Sequence, residues 1–168
     1  FYHIGKTAGT TIKKLFLEKN FEKLSFDDLY NKSFKNNLDV KLKYFVPQHG
    51  HHDKSFYENI NKIKELKSIY NDNLFIFTIF RKPIQQTLSL YNYFNSTNVP
   101  TCSKEKIADT LRFNYQSHYL YNSTTFWKDN ENYLNKEDTN KLINYIDLYI
   151  DHVGIQDNLY YTFKIIDE

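Results

Sequence analysis

The stretch Leu74–Phe80, with the sequence LFIFTIF, decides the fold. A continuous apolar run of this length is typical of a strand that is covered on both faces, as in a parallel sheet. Arg81 and Lys82 end the run, and Pro83 is well placed in the first turn of a helix that we expect to reach about Phe94. The sequence therefore predicts a buried strand that leads directly into a helix.

Further strand and helix patterns alternate on both sides of this stretch. We expect strands at 1–4, 44–46 and 152–155, and helices at 10–17, 26–31, 54–69, 103–111, 137–150 and from 156 onward. Such alternation predicts an α/β sandwich with a central parallel sheet. Ligands of these sheets bind beyond the carboxyl ends of the strands, where the loops at 5–11, 47–52 and 81–89 carry chemistry.

Composition limits the classes of protein. A length of 168 residues fits one domain, 1–168, and a net charge of +2 argues against a nucleic-acid partner. Aromatic residues make up 18% of the chain, which excludes a disordered protein. The single cysteine, Cys102, excludes an intrachain disulfide and favours a reducing compartment. The chain has no Met and opens in a core strand, so we expect its native N-terminus, with any membrane anchor, to be missing.

The loop Lys6–Thr11, with the sequence KTAGTT, follows the first strand and opens a helix. Small residues let the backbone approach a ligand closely, helix N–H groups point at it, and Lys6 adds a full charge. The ordinary Walker pattern is not present, because the Lys-Thr pair precedes Gly9. The loop predicts a phosphate-binding site; the alternative is an ordinary turn capped by Thr10.

An arginine follows the strongest strand in a chain whose other cations are almost all lysines. Only two of the 22 cationic residues, Arg81 and Arg112, are arginine. A guanidinium offers a rigid fork for bidentate phosphate binding, which lysine cannot reproduce. Ser89, two helical turns further on, could donate its hydroxyl to the same anion. The alternative is that Arg81 ends the strand or pairs with a carboxylate.

Three of the six histidines lie within four residues, in the segment 48–52 with the sequence QHGHH. Imidazole titrates near neutral pH and can take a proton from an attacking hydroxyl. A metal site on His49 and His51 is one alternative, although no third ligand is evident from spacing, and a polar surface turn is another.

These three motifs together resemble sulfotransferases of the branch that contains heparan sulfate 2-O-sulfotransferase. Residues 3–11, HIGKTAGTT, are similar to the family's phosphosulfate-binding loop, H-[IV]-P-K-T-x-[GS]-T-[ST], with Gly5 in place of proline. Residues 81–94 are similar to its 3′-phosphate motif, R-[DN]-P-x-x-R-x-x-S-x-Y-x-[YF], with Lys82 replacing an acid and Gln86 a second arginine. His49-Gly50-His51 matches the family's H-G-H segment.

Two weaker segments continue the resemblance in the family's order. Residues 114–120, NYQSHYL, resemble a stretch near the cofactor and acceptor cleft, although a segment that simply faces the core would look the same. Residues 153–157, VGIQD, resemble a late strand-to-helix turn. The resemblance thus extends from residue 1 to about residue 160.

The resemblance implies a P-loop-NTPase-like three-layer sandwich and an enzyme that moves a sulfuryl group from PAPS (3′-phosphoadenosine 5′-phosphosulfate) to an acceptor hydroxyl on a carbohydrate. The implied cofactor site consists of Arg81, Ser89 and the loop residues Lys6, Thr7, Ala8, Gly9, Thr10 and Thr11. His51 is the implied base, with His49 and Lys6 also catalytic, and no metal is expected.

Two rival functions and the compartment stay open at this point. A P-loop-type nucleotide kinase would need the complete Walker pattern and an acid ending a strand, and neither is found. A non-catalytic nucleotide- or glycan-binding module is the other rival. The cysteine content favours the cytoplasm, whereas a lost anchor would favour the Golgi lumen.

Overall fold

The computed structural model describes residues 1–4, 7–35, 38, 42–49, 55–97, 115–121 and 134–167. They form a mixed α/β structure around a small parallel sheet of four strands in the order β4-β1-β5-β6. The strands of this sheet are β1 (Tyr2–His3), β4 (Gln48–His49), β5 (Phe77–Phe80) and β6 (His152–Ile155). Pairing is in parallel register, with Tyr2 opposite Thr78 and Phe80 opposite Ile155.

The prediction that the strand at 44–46 lies in the central sheet is wrong. Tyr44–Phe45 forms β3, which pairs with β2 (Glu22–Lys23) in a separate two-stranded parallel sheet. The strand that pairs with β1 on the side away from β5 is instead Gln48–His49, the segment that we expected to be a loop. Pro47 lies just before this edge strand, a position where its missing N–H costs no ladder hydrogen bond.

Seven α-helices lie within the described residues. They are α1 (Gly9–Glu18), α2 (Phe26–Phe34), α3 (Ile60–Tyr70), α4 (Pro83–Thr97), α5 (Tyr115–Tyr121), α6 (Lys136–Tyr149) and α7 (Leu159–Asp167). Short 3-10 helices at Asn71–Asn73 and Gln156–Asn158 precede β5 and α7. Side chains of Ser25 and Asn135 cap α2 and α6, as expected of good N-cap residues.

Several predicted boundaries shift. The expected helix at 54–69 begins only at Ile60, because Ser55 and Glu58 first form a turn in which each side chain accepts the other's backbone N–H. The expected strand at 74–80 is shorter, Phe77–Phe80, and Phe75 is 42% exposed. The helix predicted at 103–111 lies outside the described residues.

An apolar cluster covers each face of the central sheet. Successive side chains of a strand point to opposite faces, so each strand can contribute to both clusters. One cluster contains Phe77 and Ile79 of β5 together with Ile12 and Phe16 of α1. The other contains Tyr2 and Ile4, around which buried residues of α2, α3, α4, α5 and α6 pack. The prediction that β5 is buried is thereby confirmed.

The amino ends of β5 and β6 are held together by a charged cluster. The Lys67 ammonium lies 2.5 Å from the Asp151 carboxylate and also donates to the Leu74 carbonyl. The same carboxylate accepts the backbone N–H of Ile76 at 2.6 Å. This cluster fixes the start of both strands. Among the described residues, no helix is both long and apolar enough to cross a membrane.

Candidate functional site

The carboxyl ends of β1 and β5 lie side by side, because the two strands are parallel neighbours. The chain leaves β1 toward α1, which packs in one core cluster, and leaves β5 toward α4, whose Leu90 packs in the other. Adjacent strands whose following helices lie on opposite faces define the crevice in which α/β sheets bind ligands. Residues 7–11 of the first predicted loop and residues 81–89 therefore lie at one crevice.

The described part of the first loop, residues 7–11, forms a tight entry into α1. Thr7 is fully buried, and both its backbone N–H and its hydroxyl donate to the Ile4 carbonyl, at 3.2 and 2.6 Å. Ala8 adopts a left-handed conformation with φ of 67° and is the N-cap of α1. The Thr7 side chain thus shapes the loop. Lys6 and Gly5 lie outside the described residues.

The described first turn of α1 contains no acidic side chain that would oppose an anion. Thr10 and Thr11 are exposed there. Helical geometry leaves the first backbone N–H groups without acceptors inside the helix, with the positive end of the helix dipole behind them. This end of α1 can receive a negatively charged group.

Gly9 is required by close packing rather than by its backbone angles. A Cβ atom at this position would lie 2.0 Å from Nε2 of His3, whose ring also stacks on Phe1. The glycine of the predicted loop therefore lets the first turn of α1 pass directly over the imidazole at the end of β1.

Arg81 and Ser89 lie at the same groove. Both line an open groove of about 460 Å³ at the carboxyl edge of the sheet, together with Gln85, Leu88, Asn92 and Asp157. Both side chains are partly exposed. The groove thus offers a guanidinium, a hydroxyl and two side-chain amides from one helix and the strand before it.

The structure describes both residues at which the chain departs from the family's 3′-phosphate motif. Lys82 pairs with Asp157 at 3.0 Å, so its charge is shared with a carboxylate that itself lines the groove. Gln86, which stands where the family pattern has a second arginine, is 2% exposed and is absent from the groove lining. The replacement of that arginine therefore falls at a buried position.

Sequence reasoning missed the residue that holds Arg81 in place. The side-chain amide of Gln116 accepts the backbone N–H of Arg81 at 2.8 Å and donates to its carbonyl at 2.7 Å. Gln116 belongs to α5, the helix that corresponds to the NYQSHYL stretch, and is 5% exposed. The only signal in the sequence was the resemblance of that stretch to a cleft-lining segment.

The histidine segment is described only in part. The backbone of His49 ends β4 opposite His3, at the edge of the sheet where β1 also ends. The predicted base His51 and its neighbour His52 lie outside the described residues. No group of three or more potential metal ligands occurs among the residues that the structure does describe.

Comparison with known proteins adds no relative. No model of a protein family, no curated protein and no solved structure matches this chain.

Proposed function

We propose that this chain is a PAPS-dependent O-sulfotransferase with a P-loop-NTPase-like three-layer fold and a carbohydrate acceptor. The observation that carries the proposal is the groove shared by Arg81 and Ser89, beside the strand whose loop has the phosphosulfate-loop pattern. The core clusters on both faces of the parallel sheet support the three-layer arrangement.

The chemistry of the groove fits the 3′-phosphate of such a nucleotide. A guanidinium donates two parallel hydrogen bonds to phosphate oxygens, and the Ser89 hydroxyl adds a third donor from the next turns of α4. At the neighbouring strand, the N-terminus of α1 without acidic side chains suits the 5′-phosphosulfate end. Two anion sites on adjacent strands match a donor that carries anionic groups at two positions.

The proposed roles of the chain's own residues follow from where protons and negative charge move during sulfuryl transfer. PAPS, when bound, supplies an activated sulfuryl group, whose sulfur gains a bond to the acceptor oxygen and loses its bond to the 5′-phosphate oxygen, which leaves with 3′,5′-ADP. His51 takes the proton of the acceptor hydroxyl. Lys6 and the N–H groups of the loop stabilise the negative charge on the leaving oxygen.

A thermal-shift comparison of 3′,5′-ADP with ATP plus Mg²⁺ tests the proposal. A ligand at about 100 times its Kd stabilises a protein by about 2.7 kcal/mol, which raises Tm by about 5 °C or more in a domain of this size. We expect this rise with 3′,5′-ADP alone. Stabilisation by ATP with Mg²⁺ alone would favour a nucleotide kinase, and the absence of any shift would contradict the proposed nucleotide site.

Matched variants make the comparison specific for the groove. Arg81→Ala should abolish most of the shift by 3′,5′-ADP, because it removes the bidentate donor. Lys141→Gln, which removes an exposed cation that pairs with Glu137 on α6, should keep it. Transfer of labelled sulfate from PAPS to polysaccharide acceptors then distinguishes the enzyme from a non-catalytic binding module.

A further inference from the structure

Gln116 holds the backbone of Arg81 at the point where the sheet can no longer do so. The ladder between β5 and β6 ends at the pair Phe80–Ile155. Arg81 is the next residue, and its N–H and carbonyl instead bond to the side-chain amide of Gln116, 35 positions further along the chain. A primary amide has one donor and one acceptor side by side, so it can imitate a neighbouring strand.

We infer that Gln116 is a positioning residue for recognition of the 3′-phosphate, an inference that rests on the proposed function. Its two hydrogen bonds engage only backbone atoms of Arg81, and it carries no charge of its own. These two hydrogen bonds, which we call the Gln116 clamp, therefore fix the backbone from which the Arg81 side chain extends. They do not neutralise its guanidinium. A preorganised donor binds its anion more tightly, because less conformational freedom is lost on binding.

The helix that carries Gln116 is anchored well enough to serve as a rigid base. Tyr119 and Leu120 are buried in the core, and the Leu120 carbonyl accepts the backbone N–H of Tyr57 at 2.9 Å. The carbonyl of Tyr121 accepts the Ser55 hydroxyl at 2.8 Å. A shift of the Gln116 backbone would therefore require α5 to leave the core.

A bond to α6 completes the anchoring of α5. The Tyr121 hydroxyl donates to the Asp138 carboxylate at 2.8 Å. Burial, together with this hydrogen bond, raises the pKa of Tyr121 well above its ordinary value. The Tyr121 hydroxyl therefore keeps its proton, and its bond to Asp138, to a higher pH than an ordinary tyrosine would.

The inference predicts a defect confined to ligands that carry a 3′-phosphate. Without the clamp, the Arg81 side chain samples more positions, whereas the protein's contacts to the 5′-phosphate and to the adenine ring of the nucleotide should be unaffected. We expect Gln116→Met, which keeps the volume but removes both hydrogen bonds, to raise the Kd of 3′,5′-ADP about tenfold and that of 5′-AMP less than twofold. Gln116→Asn, which is polar but too short to reach both backbone atoms, should behave in the same way.

Titration calorimetry with both nucleotides on the full chain measures this selectivity. Ser25→Ala, which removes the N-cap of α2, is the control for lost stability and should keep the wild-type ratio of the two Kd values. Should both Gln116 variants keep that ratio, the positioning role would be refuted while the proposed function stood. A wild-type protein with equal affinity for both nucleotides would instead refute the 3′-phosphate site, and the inference with it.

Discussion

The two ends of β5 are held by different chemistry. At the amino end, Lys67 and Asp151 form an ion pair that also satisfies the backbone N–H of Ile76. At the carboxyl end, the neutral amide of Gln116 bonds to the backbone of Arg81. The first arrangement uses a cation to build the structure. The second fixes the backbone around a cation while leaving its charge out of the clamp.

This difference separates a structural end of the strand from a ligand-binding end. The Lys67 and Asp151 side chains are 21% and 33% exposed, and the cation has a carboxylate in direct contact. Arg81 lines an open groove together with a serine hydroxyl, two side-chain amides and the Asp157 carboxylate. We therefore expect changes at the amino end to alter stability and changes at the carboxyl edge to alter ligand binding and turnover.

Loss of the residues proposed for chemistry should produce the largest effect. Lys6→Ala removes the charge that stabilises the leaving oxygen, and His51→Ala removes the base, so each should lower turnover of PAPS by roughly 10²-fold or more. Both variants should keep the wild-type free energy of unfolding to within about 0.5 kcal/mol, because the proposal gives these two side chains a role in turnover and none in folding. Rates of 3′,5′-ADP release with a polysaccharide acceptor and urea unfolding measure the two quantities. Wild-type turnover in His51→Ala would refute the base assignment.

The amino end should show the reverse behaviour. Asp151→Ala leaves the Lys67 ammonium and the Ile76 N–H without their carboxylate, and we expect a loss of about 1–3 kcal/mol in the free energy of unfolding. The matched control is Glu137→Gln, which breaks a more exposed ion pair to Lys141 and should cost less than about 1 kcal/mol. Neither substitution should change the Kd of 3′,5′-ADP more than twofold. A large change of Kd in Asp151→Ala would show that the two ends of β5 are coupled.

The sequence predicted those elements whose signals are local. The apolar run ending at Phe80 and the helix start at Pro83 are in place, and the strand at 152–155 agrees to the residue. Arg81 and Ser89 share a groove because a strand end and two helical turns fix their spacing. Such features depend only on neighbouring residues, so the pattern of the chain contains them.

Features that depend on distant partners could not be predicted in this way. Gln48–His49 has no strand pattern, and it becomes a strand only because β1 supplies a parallel partner. The Gln116 clamp joins a side chain to backbone atoms 35 positions away, and a glutamine in an amphipathic segment gives no sign of such a bond. The Lys82–Asp157 pair was missed for the same reason, since its members follow two different strands.

That ion pair provides the smallest and most discriminating test of the carboxyl edge. Asp157 is a carboxylate in a groove proposed to bind a phosphate, and its substitution by asparagine removes a repulsion and releases Lys82 from its partner. Because the Lys82 and Asp157 side chains are 68% and 39% exposed, we expect only a two- to fivefold fall in the Kd of 3′,5′-ADP, about 0.5–1 kcal/mol. The gain in affinity for 3′,5′-ADP should shrink at high salt, because exposed charges are screened there, and it should be absent for 5′-AMP.

Calorimetric titrations of Asp157→Asn at low and high ionic strength measure this gain in affinity. Weaker binding of 3′,5′-ADP by Asp157→Asn would mean that this carboxylate accepts a hydrogen bond from the nucleotide, and the phosphate would then have to lie elsewhere in the crevice.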